Sequence, residues 1–301
     1  MSNLKPWLSA IRLRTLPLSI SGILIGTCLA CYNGFFNTWI FVLAILTACS
    51  FQILSNLAND YGDGVKGTDN ENRIGPERAI QSGAISPDQM FEAIKINILV
   101  VILLVFLLLY TAFGKSHFLY TFIFIVLAGL SVYAAMSYTI GNKAYGYKGL
   151  GDLFVFIFFG FISVVGSYFL YANRIDHHVF LPSVAVGLLS VGVLNLNNMR
   201  DIESDTLSNK NTMAVKLGKN KAKQYHLALI IGAMLVSSLF ITLYYSRVYN
   251  LLCLLAFVPL VLHIKAVLKA KHPSHYDPQL KVLALTTFAF SVLLGVGYIL
   301  H

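Results

Sequence analysis

Residues 94–113 read Ile94-Lys-Ile-Asn-Ile-Leu-Val-Val-Ile-Leu-Leu-Val-Phe-Leu-Leu-Leu-Tyr-Thr-Ala-Phe113. A helix needs roughly 20 mostly apolar residues to cross a hydrocarbon core of about 30 Å. This stretch has that length, and its apolar residues run on without the period-2 alternation of a β-barrel strand. Eight further runs match it, at about 16–35, 38–58, 118–140, 153–172, 179–199, 227–245, 250–268 and 280–300. The connections are mostly short, as in helical hairpins. Hydrophobic residues make up 57% of the chain and charged ones only 12%. A soluble domain carries about 25% charged residues, so this surface could not be solvated. The sequence therefore predicts an all-α polytopic membrane protein of about nine spans, with residues 1–301 forming one membrane-embedded domain. No cleavable leader pattern precedes the first span. Cys28, Cys31, Cys49 and Cys253 lie in or at the edges of apolar runs without zinc-site spacing.

Charge sets the expected orientation. With the N-terminus inside and nine alternating spans, 19 of the 22 Lys and Arg fall on the cytoplasmic side; Lys115, Arg174 and Arg247 are the exceptions. The positive-inside rule selects that topology, in a plasma (inner) membrane, and it accounts for the net charge of +9 without nucleic acid. Twelve of the 13 Asp and Glu lie on the same side, with Asp176 the exception. Carboxylates contribute little to topology, so their gathering needs another reason.

Two segments hold most of them, in loops about 56–88 and 195–218. The first is Asn56-Leu-Ala-Asn59-Asp60-Tyr-Gly-Asp63-Gly-Val-Lys66-Gly-Thr-Asp69, in which Asn56 and Asp60, and Asn59 and Asp63, share helix faces. Gly62, Gly64 and Gly67 are expected to loosen the backbone so that Asp69 folds back toward them. In the second, Asn195-Leu-Asn197-Asn198-Met-Arg200-Asp201-Ile-Glu-Ser-Asp205, the residues Asn197, Asp201 and Asp205 form one stripe. Asn59-Asp60-x-x-Asp63 echoes Asn197-Asn198-x-x-Asp201, which suggests two similar four-helix halves plus one helix.

Hard oxygen donors at this spacing suit Mg²⁺, which keeps several waters and bridges to phosphates. Asp60, Asp63, Asp69, Asp201 and Asp205 together carry about −5, which two Mg²⁺ ions nearly offset. Lys66, Arg73, Arg78 and Lys210 stand in the same segments and would meet a diphosphate. Solvated loop acids are the bland alternative, but matched spacing at two corresponding span ends argues against it. Asn56 and Asn195 serve equally well as interhelical hydrogen-bonders. A secondary transporter would place such groups near the midplane, not at one face.

The two segments resemble those of the UbiA superfamily of intramembrane prenyltransferases, whose pattern is NxxxDxxxD in the first loop and DxxxD in the second. Arg73-Ile-Gly-Pro-Glu-Arg78-Ala-Ile-Gln-Ser-Gly83 and Tyr138-Thr-Ile-Gly-Asn-Lys-Ala-Tyr-Gly-Tyr147-Lys-Gly-Leu-Gly151-Asp152 extend the likeness to the branch that prenylates 1,4-dihydroxy-2-naphthoate in menaquinone biosynthesis. The third acid of the first motif comes at Asp69, two positions later than in the superfamily form. The resemblance implies a UbiA-like helical bundle. It further implies transfer of a long polyprenyl chain from its diphosphate to the naphthoate with loss of CO₂, giving demethylmenaquinol. Asn59, Asp60, Asp63, Asp69, Asn197, Asp201 and Asp205 would hold Mg²⁺, with Asp63, Asp201 and Tyr138 at the chemistry. Lys66, Arg73, Arg78 and Lys210 would bind diphosphate. Lys143, Lys148 and Asp152 would orient the aromatic acid. Tyr61, Tyr145 and Tyr147 are further candidates to face a carbocation. The competing readings are another aromatic acceptor, such as 4-hydroxybenzoate, or a transporter.

Overall fold

The computed structural model describes residues 4–68, 75–141 and 144–300. Among them nine helices are long and apolar enough to cross a membrane: α1 (Leu4–Tyr32), α2 (Thr38–Val65), α3 (Pro87–Phe113), α4 (Phe118–Ser137), α5 (Gly151–Ala172), α6 (His177–Arg200), α7 (Met213–Leu243), α8 (Val248–Lys269) and α9 (Pro273–Ile299). They fall on the nine apolar runs, and no strand occurs among the described residues. The chain is an all-α, multi-pass membrane protein.

Several helices outrun the apolar stretches that announce them, because polar residues cap and extend them beyond the hydrocarbon. Ser86 and Gln89 close a capping box ahead of α3, with Pro87 at its first position. The Thr212 hydroxyl accepts from the Val215 amide at the start of α7, which bends at Gly218 where φ is 73°. Helix α1 is broken at Arg12, whose φ of 54° puts it in the left-handed region, and a short 3₁₀ turn over Leu13–Thr15 restores it.

Helix α6 is the axis of the bundle, two-thirds buried at 67%, whereas α4 at 6% lies almost wholly against lipid. Small residues let α1, α5 and α6 approach closely, as interfaces in lipid require. Gly22 and Gly26 of α1 face Ser163 and Ser167 of α5. The middle of α5, Phe156–Gly166, is a wide π-helical run, and a Cβ at Gly160 would stand 2.6 Å from the Ser183 carbonyl of α6. Gly62 and Gly64 do not loosen the backbone as expected. Both are helical within α2, where any larger residue would meet Thr139 or Ile80. Only Gly67, at φ 70°, is in the conformation that needs glycine.

Candidate active site

Because α2 stays helical through Val65, residues 56–65 of the first aspartate segment form its last turns and not a loop. Asn56 is used up inside the bundle: its amide donates to the Ile11 carbonyl at 2.8 Å and to the Thr15 hydroxyl at 3.1 Å. Asn195 likewise donates to the Ala222 carbonyl, joining α6 to α7. Both are interhelical hydrogen-bonders.

Asp63, near the end of α2, is where the α4–α5 and α6–α7 loops meet. Its Oδ1 accepts from the Tyr147 hydroxyl at 2.8 Å, and its Oδ2 from the Lys210 ammonium at 3.1 Å. Lys210 also stands 3.9 Å from Asp205 Oδ1, so one cation lies between the carboxylates of the two aspartate segments. Tyr147 shares a 2.6 Å hydrogen bond with Thr68, and its ring carries the ammoniums of Lys66 at 4.3 Å and Lys210 at 5.4 Å. Lys66 donates to the carbonyls of Thr139 and Gly141, fastening α2 to the α4–α5 loop. Burial alone would lower the Lys210 pKa, but attraction to Asp63 and then Asp205 outweighs it and holds the value above that of an ordinary lysine. Burial raises Tyr147 well above a free phenol, with the Asp63 charge adding to the effect, so its hydroxyl stays a donor.

The second segment is interrupted where the sequence suggests one stripe. Helix α6 ends at Arg200, Asp201 leaves helical geometry, and a short helix Ile202–Leu207 carries Asp205. Arg200 explains the break. Its guanidinium, 1% exposed, grips Asp201 bidentately at 2.8 and 2.7 Å, and reaches Asn197 at 2.9 Å and Asp277 of α9 at 2.6 Å. Sequence reasoning missed Arg200 and Asp277, which lie 77 positions apart.

A cavity of about 430 Å³ opens from this cluster into the bundle. Asn59, Asp63, Arg78, Tyr138, Asn197 and Lys210 line its polar end, together with Arg12, Arg14 and Lys281, which the sequence did not single out. Its deep end is apolar, bounded by residues such as Leu108, Leu109, Phe124 and Leu170. Along one wall Tyr138 meets Tyr145 edge-on at 5.3 Å, Tyr145 stacks on Phe154 at 4.1 Å, and Phe158 continues the row at 6.2 Å. Burial, partly offset by Lys210, pushes Tyr138 up to about 12. Tyr61 instead packs on Phe91. Lys148 is exposed, and Asp152 accepts from Tyr225 at 2.9 Å. Neither is among the residues that line the cavity. Asp69, Arg73 and Lys143 lie outside the described residues.

The donor set fits a hard divalent cation. Asp60 is 1% exposed, and among the described residues neither of its oxygens has a hydrogen-bond partner. A buried carboxylate in that state is costly until a cation arrives. Asp63 and Asp205 already share one cation, the ammonium of Lys210.

Comparison with known proteins agrees with this architecture. The profile of the UbiA prenyltransferase family matches residues 19–293. The 1,4-dihydroxy-2-naphthoate octaprenyltransferase of Escherichia coli K12 is 40% identical over 301 residues, covering 100% of this chain and 97% of the relative. A UbiA homolog from Aeropyrum pernix K1 superposes with a TM-score of 0.70 at 16% identity, over 96% of this chain and 98% of that one. A UbiA homolog from Archaeoglobus fulgidus, solved bound to GPP and Mg²⁺, gives 0.53 at 14% identity, over 94% and 98%.

Proposed function

The chain belongs to the UbiA prenyltransferase family, and from that premise we propose that it transfers a long polyprenyl chain from polyprenyl diphosphate to 1,4-dihydroxy-2-naphthoate. CO₂ is lost, and demethylmenaquinol forms for menaquinone biosynthesis. The observation that carries this reading is the junction of Asp63, Lys210 and Asp205 at the polar mouth of an apolar cavity. That arrangement suits a molecule with a multiply charged head and a hydrocarbon tail. A full-length relative at 40% identity bears the name of that activity.

Asp60, Asp63 and Asp205, with Asn59, Asn197, Asp201 and Asp69, would hold Mg²⁺, in our reading two ions. When bound, Mg²⁺ supplies Lewis-acid stabilisation of charge developing on the leaving diphosphate. Lys210 and Arg78 add positive charge at the same mouth, and Arg73 belongs to the same segment. The tail lies along the apolar depth, at about 0.8 kcal/mol per buried CH₂. As the allylic C–O bond breaks, diphosphate departs toward the cationic rim. The wall of Tyr138, Tyr145, Phe154 and Phe158 faces the cation that remains. Each aromatic face is worth about 2 kcal/mol when desolvated. The naphthoate ring then attacks through its carboxylated carbon. Loss of CO₂ returns the C–C bonding pair to the ring and restores aromaticity. Arg12, Arg14 and Lys281 complete the cationic rim where that acid would enter, and Lys143, Lys148 and Asp152, between α4 and the start of α5 in the sequence, are the further candidates to orient it. The lysine and arginine bias supports a mouth that opens on the cytoplasmic face of the plasma membrane.

Membranes containing the chain, given a long polyprenyl diphosphate, Mg²⁺ and carboxyl-labelled aromatic acids, should release labelled CO₂ from 1,4-dihydroxy-2-naphthoate as prenylated product appears. Prenylated 4-hydroxybenzoate that keeps its label, with the naphthoate untouched, would overturn the acceptor assignment and leave the family intact.

A further inference from the structure

A second cavity, of about 690 Å³, lies between the end of α6, α7 and the turn that joins α8 to α9. Its lining is cationic: Lys219 and Lys223 from α7, then Lys269, Lys271 and His272 from the α8 end and turn. Of the neighbouring carboxylates, Asp277 is held by Arg200 at 2.6 Å, while Glu203 pairs at 2.6 Å with Lys219, itself one of the lining lysines. Lys223 donates to the Ala270 carbonyl, so α7 and the turn already hold each other at the floor of the cavity. An exposed apolar stripe, Val258, Val261, Leu262 and Leu268, runs along α8 and ends at this pocket. A basic pocket where helices leave the bilayer, with an apolar face leading to it, matches a phosphodiester head joined to acyl chains. Basic pockets between membrane helices bind anionic lipid headgroups on that physical ground.

We propose that this pocket is a binding site for one anionic phospholipid, with its phosphate between Lys269 and Lys271 and its acyl chains along the outer face of α8. A free phosphate shares the charge but has no use for the apolar stripe. Met199 and Ile202 line the same pocket and flank Arg200 and Asp201, so a seated lipid braces the back of the second aspartate segment.

Native mass spectrometry of the full chain in detergent tests this with short-chain phosphatidylglycerol and phosphatidylcholine as probes. Phosphatidylglycerol should bind saturably and phosphatidylcholine should not. The double variant Lys269→Gln/Lys271→Gln should weaken phosphatidylglycerol at least about fivefold, since each basic group near an anionic head contributes measurably. The same variant should keep wild-type thermal unfolding and prenyl transfer in neutral detergent. Equal binding by the variant, or no preference between the two lipids, would overturn the proposal. Displacement of phosphatidylglycerol by an equal concentration of inorganic phosphate would assign the pocket to a free anion and overturn it as well. Binding is read without turnover, so this result is independent of the acceptor assignment.

Discussion

At Tyr147 the two ends of one side chain serve different groups: the hydroxyl reaches Asp63 and Thr68, while the ring lies under two ammoniums. Tyr147→Phe keeps the ring and removes the hydrogen bond to a carboxylate, which is worth about 1.5–3 kcal/mol. We expect kcat/KM for prenyl transfer to fall by roughly 10- to 100-fold in a protein that still folds into the membrane; wild-type turnover would show that Asp63 needs no such holder. The raised pKa of this phenol fixes the sign with pH. The proton is present below the folded-state value and lost only above it, so no alkaline loss below pH 10 arises from Tyr147. Asp63→Ala removes the acceptor itself and should lower kcat/KM at least about a hundredfold, or ~2.7 kcal/mol. Full turnover in a folded Asp63→Ala protein would demote this carboxylate to a loop acid. The aspartates and asparagines were legible because two short segments repeat one spacing. Lys210 was legible as a cation but not as the bridge between segments. Arg12, Arg14 and Lys281 were not legible at all, since sequence places a residue on a face and does not say which helix stands opposite.

Between elements, Arg200 binds the end of α6 to the start of α9 and fixes where the second aspartate segment turns. Arg200→Met would leave Asp201 and Asp277 facing each other uncompensated, and breaking a buried pair from one side costs about 3–5 kcal/mol. A lowered midpoint of thermal unfolding in detergent should accompany lost transfer, and adding Asp277→Asn should recover part of the midpoint. No change in midpoint for Arg200→Met would remove this anchor from the account. The spans themselves were plain in the sequence, because twenty apolar residues admit few other uses. Their ends were not, since Ser86, Thr212 and the polar turns of α2 extend helices where hydropathy has already fallen. The echo between the halves we read as two copies of one span end, and they differ in one respect. The first stays helical through Asp63, and the second breaks at Asp201.

In the molecule as a whole, α1 to α6 and α9 line a cavity that is apolar in its depth and charged at its mouth. Sequence could announce the membrane and the acidic segments, while the cavity exists only once α1, α5 and α6 meet through their glycines. In the proposed function that mouth is a divalent-cation site for diphosphate. Asp63 and Asp205 share Lys210, and neither oxygen of buried Asp60 has a hydrogen-bond partner among the described residues, so hard oxygen donors remain for a cation that would also meet the diphosphate. Prenyl transfer to 1,4-dihydroxy-2-naphthoate by the purified chain, followed after chelation with EDTA and then across a Mg²⁺ titration, measures this directly. Transfer should stop under chelation and return with added Mg²⁺. Transfer that continues undiminished in EDTA would contradict the divalent-cation site.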